Sequence, residues 1–496
     1  MTTAGKALIV DLNNFSRYPT MAVGYLVAAL RQAQWTVEVV SPLAFGVHGF
    51  PRRVRARRWQ VIPKCLAHLS AISRLAAVAR LRSALRQRLQ PGNDDDTHAI
   101  VKAVEQALAG RPGVVLVSAY TMFRPTVSRI AALCAAHGVP LIVGGNSFVI
   151  REVAAQWAAL PGVSAVYAGE PERHLPDMVA ALQRGESLQG RPGVYPPGAT
   201  DDQWLAPPLH DLDRLAFPDY GDFPWHAYPN RIVPIMTARG CEWGRCTFCS
   251  DVLTSAGRSF RSRSLQNVID EIQHHQAKTG AELFVFLDLK LNSDLEVWRG
   301  LIRELPRVAP GIRWTASVHV DNRLDNGLSP DDLKAAAAAG LTRITCGLES
   351  GSPKVLAEMA KGMRLKRMSA FINDAYQAGL SVRLTCMVGH PGEDDSDIDM
   401  TASFLRAHSA AIERVALHRF ALLPGTPAHQ RLLADPKRYE YITVGRLNTL
   451  YATIPYRNQR LGSAKSLIAT FKLISTVNKI NTKPLIERAQ EFEGAF

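Results

Sequence analysis

The chain has 496 residues, 47% of them apolar, and its 58 Lys and Arg outnumber 44 Asp and Glu for a formal net charge of +14. That length predicts two or three domains with a sizeable core. No run has both the apolar length and the freedom from charge of a membrane-spanning helix, and no signal-peptide core opens the chain, so a cytoplasmic protein is expected.

Residues 7 to 180 alternate short apolar runs with helical patterns. Strands are predicted at Ala7–Asp11, Thr36–Val40, Val114–Ser118, Pro140–Gly145 and Val163–Gly169. Helices are predicted at Met21–Ala33, near Thr126–His137 and at Glu172–Gln183. This alternation predicts a doubly wound parallel sheet that binds its ligand at the carboxyl ends of the strands. No G-x-G-x-x-G follows the first strand, which argues against a dinucleotide. Inserted between the second and third strands, residues 52–89 carry Arg52, Arg53, Arg55, Arg57, Arg58, Lys64, Arg74, Arg80, Arg82, Arg86 and Arg88 without one acidic residue. From Leu66 to Leu89 the apolar residues fall at helical spacing. A solvated helix packed on its own domain is expected, with peripheral contact to a membrane or an anionic substrate as the alternative. Nucleic acid is not an expected partner.

Residues 186–230, rich in Pro, Gly and Asp, read as a linker. A second βα series follows, with strands at Ile232–Thr237, Leu283–Leu289, Trp314–Val320, Ile344–Leu348, Val382–Val388 and Val415–Leu422. Helical patterns at Tyr441–Ile454 and Ser463–Ile480 end the chain. After the first strand of this series, Cys241, Cys246 and Cys249 stand in Arg239-Gly240-Cys241-Glu242-Trp243-Gly244-Arg245-Cys246-Thr247-Phe248-Cys249. Three thiolates this close cannot all pair as disulfides but can converge on one metal centre. With three protein ligands, a [4Fe–4S] cluster keeps one iron open. The alternative is a zinc knuckle with a distant fourth ligand, but no second C-x2-C or paired His accompanies it. The other cysteines, Cys65, Cys134, Cys346 and Cys386, lie in apolar runs and are expected to be buried thiols.

The cysteine loop resembles that of radical SAM enzymes, although its C-x4-C-x2-C spacing is one residue longer than the usual C-x3-C-x2-C. In that superfamily the open iron holds the amino and carboxylate groups of S-adenosylmethionine (SAM). Phe248, before the last cysteine, fits the pattern. Cys346-Gly347-Leu348-Glu349-Ser350-Gly351-Ser352 resembles the segment along the SAM adenosine, and Val388-Gly389-His390-Pro391-Gly392-Glu393 resembles the fifth-strand turn. Leu422-Leu423-Pro424-Gly425-Thr426-Pro427 resembles the turn after the sixth strand. The usual Gly-Gly-Glu of the second strand is missing, and Asp288-Leu289-Lys290 stands in its place. The resemblance thus implies SAM contacts at Phe248, Asp288, Glu349 and Gly389. Arg383 is a candidate for the SAM carboxylate, or else for a salt bridge inside the barrel.

The N-terminal sheet resembles the cobalamin-binding domain that precedes many radical SAM modules. The resemblance rests on Ser118-Ala119-Tyr120-Thr121, Gly144-Gly145 and Gly169-Glu170-Pro171-Glu172 at successive strand ends, where glycine lets backbone approach a large planar ring. Leu212 to Tyr220 resembles the bridge between the two modules. The D-x-H-x-x-G of cobalamin domains is replaced by Asp11-Leu12-Asn13-Asn14-Phe15-Ser16. Asn13 stands where the cobalt-ligating His would be, which implies cobalamin without a lower His ligand. Tyr120 and Met122 are candidates for the face below cobalt. The implied cobalamin site is Asn13, Ser118, Ala119, Tyr120, Thr121, Gly144, Gly145, Gly169 and Glu170.

The expected α/β architecture is a flavodoxin-like cobalamin domain (1–185), a linker (186–230), a partial (β/α)6 radical SAM barrel (231–425) and a small helical C-terminal domain (426–496) closing the barrel mouth. The resemblance implies an enzyme using a [4Fe–4S] cluster, SAM and cobalamin, supplied with electrons by a flavodoxin or ferredoxin. It would methylate an unactivated carbon of a natural product, peptide or lipid. In this scheme reductive SAM cleavage gives a radical that abstracts substrate hydrogen, and methylcobalamin supplies the methyl group. Non-methylating cyclisation or ring rearrangement, and a sensor without catalysis, are the alternatives. A methylthiotransferase would need three further N-terminal cysteines, but only Cys65 and Cys134 precede Cys241.

Overall fold

The computed structural model describes residues 5–13, 17–48, 55–72, 77–78, 80–82, 84, 94–199, 205–249 and 260–495. Ser16 of the altered cobalamin motif, and Arg52, Arg53, Arg74, Arg86 and Arg88 of the basic segment, lie outside these residues.

Two six-stranded sheets organise the chain. The first contains β1 (Gly5–Asp11), β2 (Trp35–Val40), β3 (Val114–Ser118), β4 (Leu141–Gly144), β5 (Ala165–Tyr167) and β6 (Val194–Tyr195) in the order β2-β1-β3-β4-β5-β6. The first five strands run parallel, with registers such as Asp11↔Ser118 and Ser118↔Gly144 that align their carboxyl ends. This is the doubly wound order with its switch between β1 and β3, the place where sheets of this kind bind ligands. The strands are uninterrupted apolar runs because helices cover both faces. Strand β6 corrects the linker expectation: Val194 and Tyr195 pair antiparallel with β5, extending the sheet. Both side chains are buried, so a Pro- and Gly-rich stretch still supplies an edge.

The second sheet contains β7 (Ile232–Ile235), β10 (Leu283–Phe286), β11 (Arg313–Val318), β12 (Leu341–Glu349), β13 (Ser381–Val388) and β14 (Ile412–Arg419) in chain order, all parallel. Its end strands β7 and β14 do not pair, so this is a partial barrel. The short strands β8 (Ala238–Arg239) and β9 (Arg261–Ser262) pair antiparallel and frame the cysteine loop. The bridging segment is packed firmly. The ring of Tyr220 lies where a Cβ on Gly24 would stand, 2.5 Å from one ring carbon, and its hydroxyl donates to Pro234 O at 3.0 Å. Gly24 therefore lets the helix Met21–Gln32 close on the bridge.

The C-terminal region differs from the all-helical expectation. Tyr441–Ile454 is not a helix: β15 (Ile442–Val444) pairs antiparallel with β16 (Tyr456–Asn458). The β-branched run Ile442-Thr443-Val444 favours a pleated strand over the helical spacing. This hairpin does lie at the barrel mouth, where the Tyr456 hydroxyl donates to Gly389 O and Asn458 Nδ2 donates to Pro391 O and Glu393 O. The helix Ala464–Asn481 packs on the outside of β14. The last turn, Glu487–Phe492, plugs the opposite end. There Phe492 is fully buried beside Ile232, Leu283 and Val285, and its carbonyl accepts from Arg343 Nη1 at 3.0 Å. Tyr18, which follows β1, joins the same apolar cluster. Among the described residues no helix is long and apolar enough to cross a membrane.

Candidate functional site

The cysteine loop is fixed from below by Asp288, which follows β10. Its carboxylate accepts from Thr237 N at 3.0 and 3.1 Å, Thr237 Oγ1 at 2.7 Å and Ala238 N at 2.8 Å. Burial pushes this carboxyl up to about 6 even against those hydrogen bonds. Asp288 is thus spent on holding β7 to β10, and this corrects its expected SAM contact: its oxygens already face the backbone and hydroxyl donors of Thr237 and Ala238. The helix Pro353–Glu358 and the turn after it hold the loop from the side. Thr247 N donates to Met359 O at 2.9 Å, Thr247 Oγ1 to Glu358 O at 3.1 Å, and Trp243 Nε1 to Ala360 O at 2.9 Å. Gly362, at φ +68°, permits this docking, because a Cβ there would lie 2.0 Å from the Trp243 ring. Phe248 packs with Val355, Met359, Phe420 and Leu422.

All seven cysteines are free thiols. Cys241, Cys246 and Cys249 are half-buried on the loop, whereas Cys65, expected to be buried, is also half-buried. Burial pushes the Cys246 thiol up, while the Lys361 cation pulls it down. Among the described residues no three His, Cys, Asp or Glu side chains are gathered to hold a single metal ion. Three thiols on one loop match the donor count of a cluster with one open iron.

Lys361 is the main residue sequence reasoning missed. Its buried Nζ lies 2.9 Å from Glu349 Oε1, both side chains being 9% exposed. Gly347 leaves room for the pair, since a Cβ there would meet Glu349 Oε1 at 2.0 Å and Lys361 Nζ at 2.7 Å. Glu349 itself is bent into the left-handed region at φ +61°, at the end of β12. No periodicity marks Lys361; only its placement after a short helix brings it to the loop. Beside it, burial and then the Lys361 and Lys290 cations press the His319 imidazole down to about 3. Its ring lies 5.7 Å from that of Trp243. Gly389 follows β13 at φ +97°, its N–H bonded to the Glu393 carboxyl, which burial pushes up to about 8.

Arg383 does not join this end of the barrel. It stands near the start of β13, six residues before Gly389, or about 20 Å along an extended strand. It lines a cavity of about 160 Å³ with Arg343, Arg414 and Glu493 toward the plugged end. This position, far from the carboxyl ends of the strands, does not suit the SAM-carboxylate expectation.

At the carboxyl edge of the first sheet, Asn13 Nδ2 donates to Ser118 Oγ at 2.9 Å, joining the ends of β1 and β3. Among the described residues Asn13 Oδ1 is buried with no hydrogen-bond partner, which leaves an acceptor open at this edge. Ala119 N donates to Gly144 O at 3.0 Å, Thr121 opens a 3₁₀ turn, and Tyr120 is half-buried just before it. Gly144 faces open space where a side chain would stand, while Gly145 lets the backbone pass Ala119 O, only 2.3 Å from where its Cβ would be. An open acceptor and a side-chain-free floor at the switch point fit a large flat cofactor.

The loop after β5 ties this edge to the cysteine loop. Both oxygens of Glu170 take Arg261 at 2.7 Å, and its carboxylate also accepts from Leu209 N at 2.8 Å. Arg239 lies 3.2 Å from Glu170 and 2.6 Å from Glu172, with its guanidinium over the Tyr25 ring. Arg239 leads into Cys241 and Arg261 opens the loop's return strand. One acidic tetrapeptide, Gly169 to Glu172, therefore grips both stems of the cysteine loop. The Glu170 carboxylate is occupied by these cations, so any contact it offers a cofactor comes from its backbone.

Residues 235–405 match the radical SAM superfamily. The chain is 27% identical over 251 residues to an uncharacterized methyltransferase of Pyrococcus horikoshii, covering 50% of this chain and 53% of that protein. It therefore spans about half the length of that relative. It is 24% identical over 375 residues to bacteriochlorophyllide d C-12(1)-methyltransferase of Chlorobaculum tepidum, covering 74% of this chain and 75% of that one. Among solved structures, TsrM of Kitasatospora setae, a radical S-adenosylmethionine methyltransferase with cobalamin and [4Fe-4S] cluster bound, superposes with a TM-score of 0.61. That match has 16% identity and covers 89% of this chain and 77% of TsrM. The cobalamin-dependent S-adenosylmethionine radical enzyme OxsB superposes with a TM-score of 0.64 at 14% identity, covering 91% of this chain and 64% of OxsB. At these identities the superpositions establish a shared fold.

Proposed function

We propose that this chain, which carries a radical SAM domain, is a cobalamin-dependent radical SAM methyltransferase acting on an unactivated carbon of a small-molecule, peptide or lipid substrate. One observation carries the reading: the Glu170–Arg239–Arg261 cluster joins the ligand edge of a flavodoxin-type sheet to both stems of a three-cysteine loop. Such a join serves two cofactors that must act on one another. Cys241, Cys246 and Cys249 would hold a [4Fe–4S] cluster; Phe248, Glu349 and Gly389 would line SAM. Asn13, Ser118, Ala119, Tyr120, Thr121, Gly144, Gly145 and Gly169 would cradle cobalamin. When bound, these groups supply one-electron SAM cleavage and a transferable methyl, chemistry no side chain provides. The chain's own part is positional. Asp288 and the turn at 358–362 fix the loop, Lys361 neutralises Glu349 beside Cys246, and the hairpin at Tyr456 closes over Gly389.

The proposal includes a flavodoxin or ferredoxin as electron donor and a peripheral contact through residues 52–89. A methylthiotransferase reading lacks the cysteines for a second cluster. The test is metal and corrinoid content. Protein purified without oxygen from cobalamin-fed cells is expected to hold about four irons and one corrinoid per chain, with a base-off absorbance spectrum. Iron without corrinoid overturns the cobalamin half of the reading, and neither overturns it entirely.

A further inference from the structure

The helix Val61–Ile72 leans on the helix Ala464–Asn481, with Lys64 Nζ donating to Asn478 Oδ1 at 3.1 Å and Asn478 Nδ2 donating to Arg57 O and Arg58 O at 3.3 Å. Its outer side is unusual for a helix face packed on its own domain. Trp59, Ile62 and Leu66 are 59%, 60% and 59% exposed. Ile62 and Leu66, four residues apart, share one stripe of the helix, and Trp59 stands in the 3₁₀ turn Arg58–Gln60 that leads into it. Arg55, Arg57 and Arg58 are exposed at the head of that stripe. The neighbouring helix adds Ile468 and Phe471, 56% and 54% exposed, and contains no acidic residue. An apolar stripe alone would suit a protein groove equally well. Here it is set in residues 52–89, which hold eleven Lys and Arg and no Asp or Glu by the sequence. A large aromatic, branched aliphatics and the exposed Arg55, Arg57 and Arg58 beside them suit an anionic interface whose hydrocarbon begins just below its charge.

We propose that the helix Val61–Ile72 seats this protein on an anionic lipid bilayer surface, with Trp59, Ile62 and Leu66 entering the interface and Arg55, Arg57 and Arg58 meeting the headgroups. This deepens the peripheral contact proposed above, choosing lipid over a soluble anionic substrate. It rests on that part of the reading alone and needs no cofactor.

The test is co-sedimentation of the full chain with phosphatidylcholine vesicles and with vesicles of equal parts phosphatidylcholine and phosphatidylglycerol. Binding to the anionic vesicles is expected to be at least about tenfold stronger and to weaken with added salt. The variant carrying both Ile62→Glu and Leu66→Glu is expected to lose about tenfold of that binding. Both positions are more than half exposed, so its melting curve and its iron and corrinoid contents are expected to match the parent. A blue shift of tryptophan emission on vesicles is expected, and Trp59→Phe is expected to abolish it. Equal binding to both vesicles, or unchanged binding by the double variant, overturns the proposal. So does a dimer that the double variant splits, which would give this face to a second copy. Normal cofactor contents alongside absent lipid binding would leave the catalytic reading standing.

Discussion

Replacing Glu170 by Gln tests whether the two halves are mechanically one. The glutamine keeps the shape and one carbonyl oxygen for Leu209 N, but removes the charge that Arg261 and Arg239 share. Arg239 and Arg261 side chains are 10% and 6% exposed and Glu170 is 19% exposed, so these cations have little water to fall back on. Breaking a buried pair by deleting one partner costs about 3–5 kcal/mol, and the residual exposure of Glu170 together with the remaining Arg239–Glu172 contact places this variant near the low end, at about 3 kcal/mol. The Arg261 and Arg239 cations hold the Glu170 carboxyl below its ordinary range in spite of burial. Its folded-state value is therefore depressed, so its contribution is present above the unfolded carboxylate range and is lost as pH falls through the folded value. Glu170→Gln is accordingly expected to melt well below the parent at neutral pH, with the gap narrowing in acid. Urea unfolding of the cofactor-free chain, followed across pH, measures both. The same variant, loaded with corrinoid and iron, is expected to show weakened magnetic coupling between the two centres. A loss under about 0.5 kcal/mol at neutral pH would refute the reasoning, because it would mean the cluster is solvated like a surface pair.

Three other perturbations follow from the site. Burial raises the Glu393 carboxyl to about 8, so the folded chain holds that proton more tightly than the unfolded one, and stability falls as pH rises from the unfolded carboxylate range through 8. Glu393→Gln is expected to flatten that fall in melting temperature between pH 6 and 9; parallel profiles would contradict it. Lys361→Met removes the cation beside Cys246 and strands the Glu349 carboxylate. The reconstituted cluster is expected to become harder to reduce by at least about tenfold, or 59 mV for one electron, in an EPR-monitored titration, and the added Glu349→Gln is expected to restore part of the shift. Gly362→Ala puts a methyl 2.0 Å from the Trp243 ring at a backbone angle that disfavours any Cβ. It is expected to lower iron incorporation with little change in far-ultraviolet circular dichroism, and full iron content would show that Trp243 docking does not hold the loop.

Much of this molecule is legible from residue order because its strands are buried on both faces. Continuous apolar runs such as Leu8-Ile9-Val10 and Val114-Val115-Leu116 need no partner to identify them, and parallel sheets with short connections leave little choice of order. The cysteine loop is legible for a similar reason, since its three donors sit within nine residues. What order alone conceals is set by contacts between distant segments. Lys361 and Glu349 are twelve residues apart and meet only because β12 ends in a left-handed residue and a short helix returns. Asp288 occupies the position at which a SAM contact was expected, yet three backbone and hydroxyl donors from Thr237 and Ala238 claim its oxygens. Arg383 looks well placed on the fifth strand until the rise per residue is counted. The hairpin at Ile442 was hidden because a short β-branched run can also satisfy helical spacing.

The departures share a direction. Asp288 and Glu170, each on a loop beyond the end of a strand, are committed to protein contacts and hold other segments in place. Motif matching credits such residues to a ligand, since a carboxylate or hydroxyl at a strand end is what a ligand contact looks like in one dimension. The geometry assigns them instead to fixing the loops. What remains uncommitted among the described residues is an orphaned Asn13 oxygen and the open space over Gly144 on the first sheet, and three half-buried free thiols on the cysteine loop. That division is physically reasonable for a site built to take large cofactors. A flat macrocycle and a metal cluster bring their own reactivity, so the protein's side chains are best used in keeping the two at a fixed separation. The Glu170 cluster and the Asp288 tie are where a disturbance of that separation should first be measurable.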